Sequence, residues 1–165
     1  MKYKITVKNN SQPKYLFLDI DGVMNSFDDY NMTGKEFLAK INDISFTISK
    51  KQIKLINKIV EKYNPKIILS SYWRTRYPIE KINKIFKDKG FKGDIADYTD
   101  HKGEEHDDRW NQIKRYIDKN QVKNYIILDD EHITKDSTVV PNFIKTDSYV
   151  GLTKSSLKDI HNIWK

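Results

Sequence analysis

The apolar residues fall into two patterns along the chain. Tyr15-Leu16-Phe17-Leu18, Ile67-Ile68-Leu69 and Tyr125-Ile126-Ile127-Leu128 are short unbroken runs, as expected of strands covered on both faces of a parallel sheet. Ile95-Ala96 and Phe143-Ile144-Lys145-Thr146 predict two further strands. Between the runs the spacing becomes helical. Ser49 with Gln52 reads as a capping box opening a helix whose Ile53, Ile56, Ile59, Val60 and Tyr63 share one face, and Asn64-Pro65 ends it. Pro78 suits the first turn of a second helix, with Ile79, Ile82, Ile85 and Phe86 as its buried stripe and Gly90 as its stop. Asp107 or Asp108 caps a helix bearing Trp110, Ile113, Tyr116 and Ile117; Thr153 caps a last one bearing Leu157, Ile160 and Trp164.

Strands alternating with amphipathic helices imply right-handed crossovers and an α/β fold: a doubly wound, mostly parallel sheet with helices on both faces. Residues 1 to 13 read as an appended segment in which Tyr3, Ile5 and Val7 alternate like a short edge strand. Residues 24 to 48 have no single period, although Ile44, Phe46 and Ile48 suggest part of a hairpin; this interval is expected to be a flap or minimal cap. At 165 residues, without repeats or a linker, the chain is expected to form one domain over residues 1–165.

Composition narrows the setting. Apolar residues at 38% and charged residues at 32% fit a soluble globular protein, and no stretch reaches the length of a membrane span or forms a signal-peptide core. The absence of cysteine removes disulfides and thiolate metal sites and suits a cytoplasmic location. A net charge of +7 favours a polyanionic partner, but the lysines are scattered: Lys50, Lys51, Lys81, Lys84, Lys87 and Lys89 fall on polar helix faces, where charge serves mainly as solvated surface.

Chemistry is concentrated where strands end. The first run leads into Asp19-Ile20-Asp21-Gly22-Val23, the second into Ser70-Ser71 and the later one into Asp129-Asp130, at the carboxyl edge where open α/β sheets bind ligands. Asp19, fixed by the strand behind it, is a candidate nucleophile. Asp21 is placed to protonate a leaving oxygen and then activate water. Asp19 with Asp129 or Asp130 supplies hard oxygen ligands of the kind Mg2+ takes, and their mutual repulsion calls for a cation. Trp73-Arg74 offers a second phosphate contact or a stacking surface for a base, with packing and ion pairing as the alternative. His101, His106, His132 and His161 lack metal-ligand spacing, while Asp28-Asp29 and Glu104-Glu105 read as solvated charge.

Asp-x-Asp-Gly-Val, strand-Ser-Ser and strand-Asp-Asp in this order resemble the haloacid dehalogenase (HAD) superfamily of phosphohydrolases. Leu69-Ser70-Ser71-Tyr72-Trp73-Arg74 and Gly151-Leu152-Thr153 are similar to the small HAD domain of Swiss-army-knife RNA repair proteins, over roughly Lys14 to Lys165. The resemblance implies a HAD-like Rossmannoid fold and a Mg2+-dependent phosphomonoesterase with Asp19 as nucleophile and Asp21 as acid/base. It also places the Asp21 backbone carbonyl on the metal, beside Asp19 and Asp129 or Asp130. Ser70 falls at the phosphoryl-binding hydroxyl position, with Ser71 as the alternative and as a substrate contact alongside Arg74. The superfamily's usual lysine is replaced: Arg109 sits at the matching position, with Lys102 and Lys114 as alternatives, and arginine binds phosphate bidentately.

The short intervals between these elements imply a capless or minimally capped site open to a phosphorylated small molecule or a nucleic-acid end. The competing expectation is a noncatalytic phospho-acceptor or nucleic-acid-binding domain, but an acid two residues after the phospho-acceptor favours the enzyme.

Overall fold

A computed structural model describes residues 12–26, 47–102, 107–134 and 138–165. Its five strands are β1 (Lys14–Leu18), β2 (Lys66–Leu69), β3 (Ile95–Tyr98), β4 (Asn124–Asp129) and β5 (Phe143–Lys145). They form one sheet in the order β3-β2-β1-β4-β5, with every pairing parallel. The described helices are α1 (Lys50–Tyr63), α2 (Ile79–Asp88), α3 (Arg109–Asn120) and α4 (Lys154–Ile163), with a 3-10 turn at Tyr72–Thr75.

Alternation along β1 sorts its side chains between two cores. Leu16 and Leu18 join Ile53, Ile56 and Ile59 of α1, Ile82 and Phe86 of α2 and Leu157 and Ile160 of α4. Phe17 joins Ile68, Ile127 and Ile113 of α3 on the other face, with Tyr116 and Trp110 packed against them. Among the described residues, three helices thus cover one face and α3 the other. The chain steps outward from β1 to β2 to β3, then returns through α3 to β4 on the far side of β1. That reversal between β1 and β4 is the topological switch point, and the crevice above it is where such sheets bind ligands.

Most predicted boundaries hold, for local reasons. Asp108 takes the N-cap of α3 and accepts from Asn111 N at 2.8 Å. Thr153 and Ser156 form a reciprocal capping box at α4. The box expected at α1 does not form. Ser49 occupies the N-cap without a side-chain capping bond, and Gln52 is buried instead, its Nε2 donating to Val150 O at 2.8 Å. A glutamine facing the core cannot also reach back over its own helix end. The expectations for residues 1 to 13 and 24 to 48 fall chiefly outside the described residues, as do Asp28, Asp29, Glu104, Glu105 and His106. Among the described residues no helix is long and apolar enough to cross a membrane.

Candidate active site

The site begins with the turn that follows β1. Asp19 N donates to Leu128 O at 3.0 Å and Ser70 N to Leu18 O at 2.9 Å, so the ladder pins three strand ends together. Ile20, Val23 and Met24 are fully buried and anchor the turn from below. Gly22 has φ +67°, and a Cβ there would stand 2.2 Å from Asp130 Oδ2. Glycine is required twice over, by the backbone and by the carboxylate seated against it. Thr146 and Gly151 brace the turn from the chain beyond β5. Thr146 Oγ1 donates to Gly22 O at 2.8 Å, and Gly151 approaches so closely that a Cβ would lie 2.9 Å from Asn25 O.

On this frame Asp19, Asp129 and Asp130 each present a carboxylate oxygen, all within 4.8 Å of one another. Arg109, the first residue of α3, places Nη1 3.3 Å from Asp19 Oδ1 and 3.3 Å from Asp129 Oδ2. Burial pushes the Asp19 pKa up, opposed by Arg109 and by a hydrogen bond from the Ser71 hydroxyl. Burial and the Asp19 charge raise Asp129 to about 7, and the same two causes raise Asp130 to about 6. Burial also works against the Arg109 charge, but Asp19 and Asp129 outweigh it and hold its pKa above the ordinary value. One guanidinium therefore offsets only part of the crowded negative charge. Asp129 Oδ2 is sealed from solvent without a hydrogen bond. Hard oxygens, unmet charge and a buried carboxylate oxygen that has the Arg109 ion pair but no hydrogen bond fit a divalent cation. Among the three candidate bases, Lys102 and Lys114 are exposed, and neither pairs with this cluster among the described residues.

The two serine hydroxyls have different surroundings. The Ser71 hydroxyl lies close enough to Asp19 to lower that carboxyl's pKa. Ser70 is fully buried, and its Oγ finds no hydrogen-bond partner among the described residues. Its carbonyl is the engaged group, accepting from both Arg74 and Arg109. Arg74, expected at the substrate, directs all its N–H groups into the protein: to the carbonyls of Ser70, Ser71, Thr99 and Asp100 and to Gln112 Oε1. Burial and the Arg109 charge lower its pKa to about 10, so it remains a cation at neutral pH. In this geometry Arg74 laces the ends of β2 and β3 to α3, with no N–H left over for a phosphate.

Asp21 is exposed, yet both its carboxylate oxygens are engaged: Asn25 Nδ2 donates to Oδ1 at 2.8 Å and Trp73 Nε1 to Oδ2 at 3.0 Å. The sequence reading missed Asn25, Thr146 and this contact of Trp73. The only signal for Asn25 was a polar residue inside the apolar turn Val23-Met24-Asn25. Arg115 completes the surroundings. It is bonded to Asp100 and Asp107 and joins the end of β3 to the start of α3.

A buried carboxylate at the end of β1, facing a carboxylate pair from β4 across an arginine, on a 3-2-1-4-5 parallel sheet, defines a HAD-like Rossmannoid protein. Its family is narrower still. Residues 15–157 match the model of the HAD domain in Swiss Army Knife RNA repair proteins, and the chain belongs to that family. No match was found among curated proteins or among solved structures.

Proposed function

We propose that the chain is a Mg2+-dependent phosphomonoesterase working through an aspartyl-phosphate on Asp19, with a nucleotide or polynucleotide end as substrate. The observation that carries this reading is the meeting of Asp19, Asp129 and Asp130 with Arg109 at the switch point. Asp19, Asp129, Asp130 and the backbone carbonyl of Asp21 would hold the cation, which when bound screens the carboxylates and polarises the substrate phosphate.

The remaining work falls to side chains. Asp19 attacks phosphorus while the bond to the leaving oxygen breaks, and Asp21 delivers a proton to that oxygen. Asp21 then takes a proton from water, which attacks the aspartyl-phosphate and releases inorganic phosphate and free Asp19. Arg109 and the Ser71 hydroxyl, both already on Asp19, are positioned to meet the equatorial phosphoryl oxygens. We assign the hydroxyl role to Ser71 because its hydroxyl acts on Asp19, whereas Ser70 Oγ has no partner among the described residues. Arg74 becomes a brace for the serine loop. The family's RNA-repair description and the net charge of +7 support a nucleic-acid end, and the cysteine-free composition suits the cytoplasm.

Phosphate release tests the reading, measured with Mg2+ on mononucleotides, sugar phosphates and oligonucleotides phosphorylated at either end. Turnover is expected on nucleotide or oligonucleotide members, with a loss of at least ~10³-fold in Asp19→Asn. Turnover retained by that variant would sink the mechanism. Salt-sensitive RNA binding without phosphate release would favour the noncatalytic alternative.

A further inference from the structure

We propose that Trp73 is a positioning residue for proton transfer: its indole N–H fixes the Asp21 carboxyl relative to Asp19. The inference rests on the phosphohydrolase reading above and deepens it. Asp21 lies on an exposed turn, where a free side chain would sample several rotamers. Here it is gripped on both oxygens, at 2.8 Å by Asn25 and at 3.0 Å by Trp73.

Neither donor is loose. Asn25 is 2% exposed, and its own Oδ1 accepts from Gly22 N at 2.9 Å. Trp73 is 8% exposed, packs in the larger core and meets the Tyr77 ring edge-on at 5.8 Å. An ionised carboxylate offers about four lone-pair directions. Two are filled by fixed donors; of the others, one carries the proton that the Asp21 carboxyl gives to the leaving oxygen and, once vacated, takes a proton from water.

The second link runs through the backbone. Ser71, whose hydroxyl bonds Asp19, is the N-cap of the 3-10 turn that carries Trp73, and Ser71 Oγ accepts from Trp73 N at 3.4 Å. One short segment after β2 therefore touches both carboxylates, Ser71 on the nucleophile and Trp73 on the acid. A side chain 52 positions away in sequence sets the angle at which Asp21 faces the scissile bond. A buried indole N–H also wants an acceptor for its own sake, so stability alone is no proof of this role.

The test reads leaving-group dependence. Trp73→Phe keeps an aromatic ring and removes the donor. Esters with good leaving groups, such as p-nitrophenyl phosphate, need little help from an acid, whereas nucleoside and alkyl phosphates need it fully. The variant is expected to keep kcat/KM on p-nitrophenyl phosphate within about 3-fold and to lose about 30-fold or more on nucleoside phosphates, steepening the plot against leaving-group pKa. Equal losses on all esters, or no loss, overturn the inference. Should Trp73→Phe fail to fold, benzothienylalanine at position 73 keeps the bicyclic shape, lacks the N–H and is expected to steepen the same plot. Asp19→Asn separates the two levels. If it is inactive and the slope is unchanged in the Trp73 variants, only this inference fails; if no turnover depends on Asp19, the underlying reading falls and this one with it.

Discussion

Single residues here are constrained by more than one neighbour at once, and Gly22 shows the consequence. Its φ of +67° already disfavours any side chain, and the space a Cβ would occupy is held by Asp130 Oδ2. Gly22→Ala should therefore act twice, straining the turn and pushing Asp130 away from Asp19 and Asp129. Half-saturation by Mg2+ in the phosphatase assay is expected to rise by at least about 10-fold, with a lower melting temperature. Unchanged metal dependence in a folded Gly22→Ala protein would show that Asp130 does not depend on this seat. The different surroundings of the Ser70 and Ser71 hydroxyls have a similar origin. Adjacent residues at a strand end point in different directions, so of two buried hydroxyls one lies beside Asp19 and the other has no hydrogen-bond partner among the described residues.

At the scale of elements, α3 delivers Arg109 from its first residue, and its start is held from several sides. Trp110 N donates to Ile133 O at 2.8 Å, and Gln112 Nε2 donates to Asp107 O at 2.8 Å. Arg115 draws Asp107 and Asp100 together and holds the Asp107 pKa below the ordinary carboxylate range. By contrast, α4 contributes its packing face and no side chain to the carboxylate cluster. Thr153→Ala removes its capping box and is expected to lower stability by about 1 kcal/mol in denaturant unfolding, leaving kcat within about 2-fold. A large loss of kcat at unchanged stability would mean that α4 positions the site more directly than its contacts imply.

Across the whole molecule, the sheet brings three carboxylates together, and that juxtaposition opposes folding unless a cation or protons offset it. Asp129 and Asp130 have folded values of about 7 and about 6 against an ordinary 3.8, through burial first and the Asp19 charge next. A carboxyl whose pKa is higher in the folded state binds protons more readily there. The cation-free protein should thus gain stability from this pair as the pH falls from 8 through 7 and 6 toward 5, and lose it as the pH rises again. A divalent cation held there would compete with protons for the same oxygens, so the stabilising effect of added Mg2+ should be largest near pH 8 and shrink on acidification. Melting temperatures with EDTA and with Mg2+ across that range check both trends. A cation effect that does not vary with pH would count against the carboxylates as its ligands.

The sequence by itself determined the strands, the helices, their alternation and the acidic strand ends. These follow from local rules, unbroken apolar runs, a 3.6-residue period and the chemistry of turns, which a linear reading can apply. It did not determine which serine faces Asp19, where the Arg74 donors go, or that Asn25 and Trp73 hold Asp21. Those depend on side-chain directions at strand ends and on partners far apart in sequence, such as Asp21 with Trp73 and Gly22 with Thr146. The capping box at Ser49 failed for the same reason: Gln52 could bond locally or reach Val150 O 98 positions away, and packing of the chain decided in favour of the latter. Local pattern sets which elements form; only the close packing of distant segments fixes which atoms meet.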